Sequence, residues 1–175
     1  MTFKIYLTNL GKYNEGELVG KWVDMFDHEE WEKELESIGV EEGTNYEEFF
    51  ITDTDTDIEG VSDYVDEYMS LDTLDELADR LSDLSEYQLE EELEAILEVY
   101  TSDLEKALDL IESCDYCYVS GIMSDEELGE YAVDEGLFEI DIPEALSSYI
   151  NYEKIGRDLT YDGWCLASKG ALQVY

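Results

Sequence analysis

This chain has to fold around a large excess of negative charge. Forty-eight Asp and Glu residues stand against nine Lys and Arg in 175, a formal net charge of −39 at pH 7. The carboxylates run along the whole length instead of forming a tail. Self-repulsion on this scale opposes compaction, and with little apolar content it would mean disorder. Here 44% of residues are hydrophobic, with 14 Tyr, 5 Phe, 3 Trp and a single Pro. That is enough apolar material for a core, in one large domain or in two to three small ones. A folded, strongly acidic protein is expected.

The charge has a physical counterpart. Duplex DNA carries about one negative charge per 1.7 Å of axis, so one copy of this chain matches roughly 20 base pairs and a dimer roughly 40. Nucleic acid and anionic lipid should both be repelled. No apolar run approaches the ~20 residues of a membrane span. Met1-Thr2-Phe3-Lys4 leads directly into alternating residues with no secretory pattern, and three cysteines fit a reducing cytosol. A cytoplasmic location is expected, with neither nucleic acid nor membrane as partner.

Periodicity divides the chain in three. Residues 1–62 form a small α+β domain: strands at Phe3–Leu7, Leu18–Val23 and Tyr46–Thr52, and a helix capped by Asp27 that ends near Gly39. Trp31, Leu35 and Ile38 share one face of that helix. Residues 63–113 are helical, with apolar stripes Leu71-Leu74-Leu77-Ala78-Leu81, Leu89-Leu93-Ile96-Leu97-Tyr100 and Leu104-Ala107-Leu108-Ile111. Residues 114–175 return to α+β. They hold a strand at Tyr116–Ser120, a capping box at Ser124 to Glu127 with Gly136 at C′, and Pro143 at the first turn of a short helix. Leu159–Tyr161 and Ala171–Tyr175 are read as strands about a turn at Asp162-Gly163. The expected fold class is α+β.

The helix faces are acidic beyond what stability favours. Glu86, Glu90, Glu94 and Glu98 recur every four residues, with Glu91 and Glu92 beside them. As a regular helix they make a ladder about 18 Å long, over which one DNA strand places about five phosphates. Each like-charged i,i+4 pair costs a few tenths of a kcal/mol. Asp72, Asp75, Asp79 and Asp83 repeat the pattern, relieved only by Arg80. Ordinary solvated faces mix signs, so the array points to function.

Sharper sites fare worse. Asp55, Asp57, Glu59, Gly60, Asp63 and Asp66 occupy EF-hand loop positions, but Asp stands where the bidentate Glu belongs and the preceding residues read as a strand. Cys114-Asp115-Tyr116-Cys117 is a C-x-x-C in acidic surroundings, with only Cys165 and His28 left to complete a zinc site. Gly11-Lys12-Tyr13 lacks the Ser or Thr of a phosphate loop, and one His supports no nucleophile–base pair. No metal, cofactor or catalytic residue is expected. A calcium buffer, a chaperone for basic proteins and a halophilic enzyme are the rival classes.

Specific segments carry a resemblance as well. Ile5 through Trp22 (IYLTNLGKYNEGELVGKW) closely resembles the opening of the ArdA antirestriction proteins. Tyr46 to Asp53 and Pro143 to Leu159 are similar to the same family, and Leu128 to Leu137 looks like a degenerate form of its antirestriction motif. The resemblance implies an elongated three-domain dimer joined through its C-terminal domain. It implies an acidic surface that imitates bent DNA and occupies the DNA-binding groove of type I restriction–modification enzymes, on the methyltransferase core. An incoming plasmid or conjugative transposon would thereby escape cleavage, with no catalysis by the inhibitor. The carboxylates expected to imitate phosphates are Asp53, Asp55, Asp57, Glu59, Asp72, Asp75, Asp79, Asp83, Glu86, Glu90, Glu94, Glu98, Asp125, Glu126, Glu130 and Asp134. The motif's position implies a homodimer contact at Leu128, Tyr131, Ala132 and Leu137.

Overall fold

A computed structural model describes residues 1–138 and 143–175. The chain divides into two compact units, Met1–Glu90 and Glu91–Tyr175. The described residues are mixed α and β, with eight α-helices and two three-stranded antiparallel sheets.

In the first unit, β1 (Phe3–Asn9) is central. It is flanked by β2 (Gly20–Asp24) and β3 (Phe49–Thr56), with the short helix α1 (Leu10–Asn14) following β1. Alternation sends Phe3, Ile5 and Leu7 inward, opposite Val23 of β2 and Ile51 of β3. A bulge at Tyr6/Leu7 resets the register on β3. That strand runs on past Thr52, where it was expected to end, to Thr56, because Asp53-Thr54-Asp55-Thr56 continues to pair with β1 beyond the bulge despite its polarity. Helix α2 (Trp31–Ser37) also begins later than expected. Asp27 is not its cap, because Asp24 organises a turn there by accepting from the Phe26 and Asp27 amides. The helix does stop at Gly39, where φ is +75°.

The α2 helix carries a buried acid. Glu34, with its side chain 8% exposed, lies 2.5 Å from Lys21 Nζ of β2 and accepts from the Glu29 amide. The Lys21 contact outweighs the cost of burial and holds this carboxyl below the ordinary Glu range. Beyond the short α3 (Val61–Tyr64), α4 (Leu71–Ser82) is capped by Ser70 and buries Leu74, Leu77, Ala78 and Leu81 as its stripe required.

In the second unit, a π-helical stretch at Gln88–Leu93 runs in from the first and leads into α5 (Glu94–Val99), followed by α6 (Leu104–Ser113). The expected stripes are buried except for Leu97, which is half-buried, and Tyr100, which is exposed where α5 ends. The strand β4 (Tyr116–Ser120) pairs at the edge of the second sheet. Next comes α7 (Asp125–Asp134), with the Ser124 hydroxyl accepting from the Glu127 amide and Glu127 accepting in return from Met123 N and Ser124 Oγ. Pro143 precedes a 3₁₀ stretch at Glu144–Tyr149. Leu159–Tyr161 is not a strand: it closes α8 (Tyr152–Tyr161), capped by Asn151. Tyr152, Ile155, Gly156 and Leu159 set its helical period. The sheet is completed by β5 (Trp164–Leu166) and β6 (Gly170–Val174), in the order β4-β6-β5. Leu128 and Ala132 of α7, Leu159 of α8, and Trp164 and Ala171 of the sheet form one core.

Candidate acidic interface

The carboxylates expected from sequence fall into four groups, and the structure places them unequally. Asp53 and Asp55 project from the outward face of β3, two residues and so roughly 6.7 Å apart. Asp57 has a structural partner: Met1's amine lies 3.3 Å away and the Thr2 amide donates to it. That amide bond is the first reason its carboxyl titrates below the ordinary Asp range. Glu59 is exposed in the turn that follows.

On α4, Asp72 and Asp79 are exposed on the helix, Asp83 is its C-cap, and all face away from the leucine stripe. Asp75 differs from them. One oxygen accepts from the Trp31 indole at 2.7 Å, and the other lies 3.1 Å from His28 Nε2, whose ring stacks on Trp31. This aspartate ties α4 to the segment entering α2.

The third group is the glutamate run. Over Gln88–Leu93 hydrogen bonding skips to i+5, so a four-residue repeat drifts around the axis there. Glu86 and Glu90 are exposed. From Glu91 onward the carboxylates meet the second sheet. Glu91 accepts from Tyr118 and Ser120 hydroxyls at 3.0 and 2.7 Å, Glu92 accepts from Tyr116, Glu94 pairs with Lys169 at 2.5 Å, and Glu98 accepts from the Ser168 amide. The Ser120 hydroxyl, then that of Tyr118, draws the Glu91 carboxyl below the ordinary Glu range. Relief for Glu91, Glu92, Glu94 and Glu98 comes from residues 24 to 75 positions away in sequence. A sign of it was present: Tyr116, Tyr118 and Ser120 alternate along one strand, which puts three hydroxyls on one face.

The fourth group lies on α7. Asp125 meets Arg157 at 3.5 Å, while Glu126, Glu130 and Asp134 follow one exposed face at four-residue spacing. The opposite face is interior. Leu128 and Ala132 are both 0% exposed, and Tyr131 packs edge-on to Trp164 at 6.1 Å. Leu128 and Ala132 therefore cannot touch a partner with their side chains, because the protomer's own core already surrounds them. Tyr131 is half-buried, and Leu137, at 47% exposed, is the member of that set most open to solvent.

A family model described as antirestriction protein (ArdA) matches residues 5–172. The chain belongs to the ArdA antirestriction family. The match runs through both compact units. A comparison with curated proteins gives no match.

Two motifs that compete with an ArdA assignment now have positions. Asp55, first residue of the EF-hand pattern, sits inside β3, where a calcium loop needs an entering helix. Among the described residues no group of three or more His, Cys, Asp or Glu could hold a metal ion. Cys114 caps α6 in the left-handed region and its thiol points to Ile111 O, while Cys117 and Cys165 lie on different strands; all three are free thiols. No helix among the described residues is long and apolar enough to cross a membrane.

Proposed function

We propose that this ArdA protein acts as an acidic DNA mimic. It competes with duplex DNA for the DNA-binding groove of type I restriction–modification enzymes, in the cytoplasm, on behalf of an incoming mobile element. The observation that carries this reading is a net charge of −39 on a chain whose described strands and helices enclose an apolar core and carry exposed carboxylates. Fixed carboxylates can meet the Lys and Arg side chains that otherwise contact phosphates, and such contacts carry no sequence information. Enzymes with different recognition sites are then open to the same inhibitor. No step of this action is catalytic.

An elongated frame of three domains, 1–62, 63–113 and 114–175, belongs to the same proposal; its helical middle is shared between the two compact units. Inhibition of a type I enzyme is expected to be competitive with DNA and to weaken steeply as salt rises. Inhibition that persists at saturating DNA overturns the proposal.

Dimerisation through the C-terminal domain is proposed too, with Leu137 as the contact residue. Leu137→Arg should reduce the sedimentation coefficient to that of a monomer with the far-ultraviolet spectrum unchanged. Leu128→Arg is no test, because it places a charge inside the core and unfolds the protomer. A Leu137→Arg protein that sediments like the wild type removes Leu137 from the contact.

A further inference from the structure

The outward face of the first sheet sets aromatic side chains among charged ones. Its middle row reads Trp22 on β2, Tyr6 on β1 and Asp53 on β3, directly opposite one another in register. The next row reads Asp24, Lys4 and Asp55, with Lys4 Nζ 3.8 Å from Asp24. Trp22 remains 43% exposed although it is among the largest side chains in the unit.

The aromatic pair is held in place. Tyr6 and Trp22 meet edge to face, centroids 5.3 Å apart at 75°. Tyr6 also lies across Gly20: a Cβ there would come within 2.7 Å of the Tyr6 ring and 2.6 Å of Leu7 O. Glycine thus leaves the space that the tyrosine fills, an aromatic cover over a strand glycine. Trp22 therefore presents a face of defined orientation, with three carboxylates and one ammonium around it.

We infer that this face is a receiving site for an arginine side chain of a basic protein surface, resting on the DNA-mimic reading for the identity of that surface. An indole face attracts a cation through its quadrupole. A guanidinium can stack on it while directing its N–H fork at a carboxylate, and Asp53 and Asp24 flank the rings. Complementarity of charge selects this occupant. A nucleic-acid base brings phosphates that the chain's charge repels, and a second copy brings the same negative field. Residues that contact DNA phosphates are rich in arginine. An aromatic contact adds affinity that simple ion pairing at the same position lacks.

The test uses the full chain. Indole N–H resonances of Trp22, Trp31 and Trp164 are followed while a nona-arginine peptide is added. Trp31 donates to Asp75 and Trp164 is buried, so they serve as internal references. The Trp22 signal should move furthest. In parallel, binding to a type I methyltransferase core is measured for wild type, Trp22→Leu, Trp22→Phe and Asp53→Asn over a salt series. Trp22→Leu should weaken binding about fivefold at every salt concentration without altering the salt slope, Trp22→Phe should recover most of the loss, and Asp53→Asn should flatten the slope.

Equal affinity of wild type and Trp22→Leu for the core overturns the inference while the DNA-mimic reading stands. A wild-type chain that does not bind the core removes that reading, and the peptide titration then judges the site alone. A Trp22 signal that moves no more than its references, one that moves equally with a single-stranded oligonucleotide, or a Trp22→Leu chain with altered sedimentation each overturns it.

Discussion

Gly156→Ala should unfold the C-terminal unit or bring it close to doing so. A Cβ on Gly156 of α8 would stand 1.7 Å from Asp125 O, and one on Gly129 of α7 would stand 1.9 Å from Tyr152 O. The obstruction in each case is backbone, which no rotamer change can clear. The arrangement is reciprocal. Gly129 lies four residues after Asp125 on one helix, Gly156 four after Tyr152 on the other, and each glycine faces the other helix's main chain. Inserting one methyl forces the axes apart by more than an ångström and withdraws Leu128, Ala132 and Leu159 from Trp164. Overpacking costs typically 1–3 kcal/mol and occasionally more; with a backbone obstacle we expect about 3 kcal/mol or above, against a whole-domain stability of roughly 5–15. Denaturant unfolding followed by Trp164 fluorescence measures it. A midpoint indistinguishable from wild type would mean that the helices can separate freely, and that the close packing does not hold them.

That packing also shows what the sequence could and could not disclose. Leu128 and Ala132 sit in a motif whose family role suggested association between chains, yet in this chain they lie inside the protomer core. Four-residue spacing on α7 identifies a buried face but not whether the buried face meets the same chain or another. The leucine stripe of α4 and the alternation of Phe3, Ile5 and Leu7 were legible because a single period recorded each. Helix α8 was not. Its apolar residues are separated by Gly156 and charged positions, and Leu159-Thr160-Tyr161 taken alone has the composition of a strand. The acidic faces were legible as composition and illegible as partnership. Asp57 is held by the chain's own amino terminus, Asp75 by Trp31 and His28, and Glu91 to Glu98 by the second sheet. Each of those partners is remote in sequence, and a one-dimensional pattern carries no record of them.

The same distinction tells which carboxylates can be removed to test mimicry without disturbing the fold. Asp53, Asp55, Asp79, Asp83 and Glu86 are exposed members of the first unit, and replacing all five by their amides leaves Asp57 and Asp75 in their structural roles. Each exposed ion pair with a partner contributes roughly 0.2–1 kcal/mol, so five together amount to about 2 kcal/mol, or roughly thirtyfold in affinity. We expect inhibition of a type I enzyme to weaken by about that factor at low salt, with the gap narrowing as salt rises because the lost contacts are screened ones. Asp79→Asn alone changes one charge in 39 and should shift inhibition by less than about twofold. Stability should move the other way. Asp83 is negative at the C-terminus of α4, where the helix dipole disfavours it, and Asp79–Asp83 is a repelling i,i+4 pair. The amide variant should therefore melt at a higher temperature than wild type at low salt while inhibiting less. Loss of function together with a gain in stability is what charges retained for a partner would produce. Charges that merely keep the protein soluble would leave inhibition untouched in the five-fold variant, and that outcome would remove the basis for mimicry.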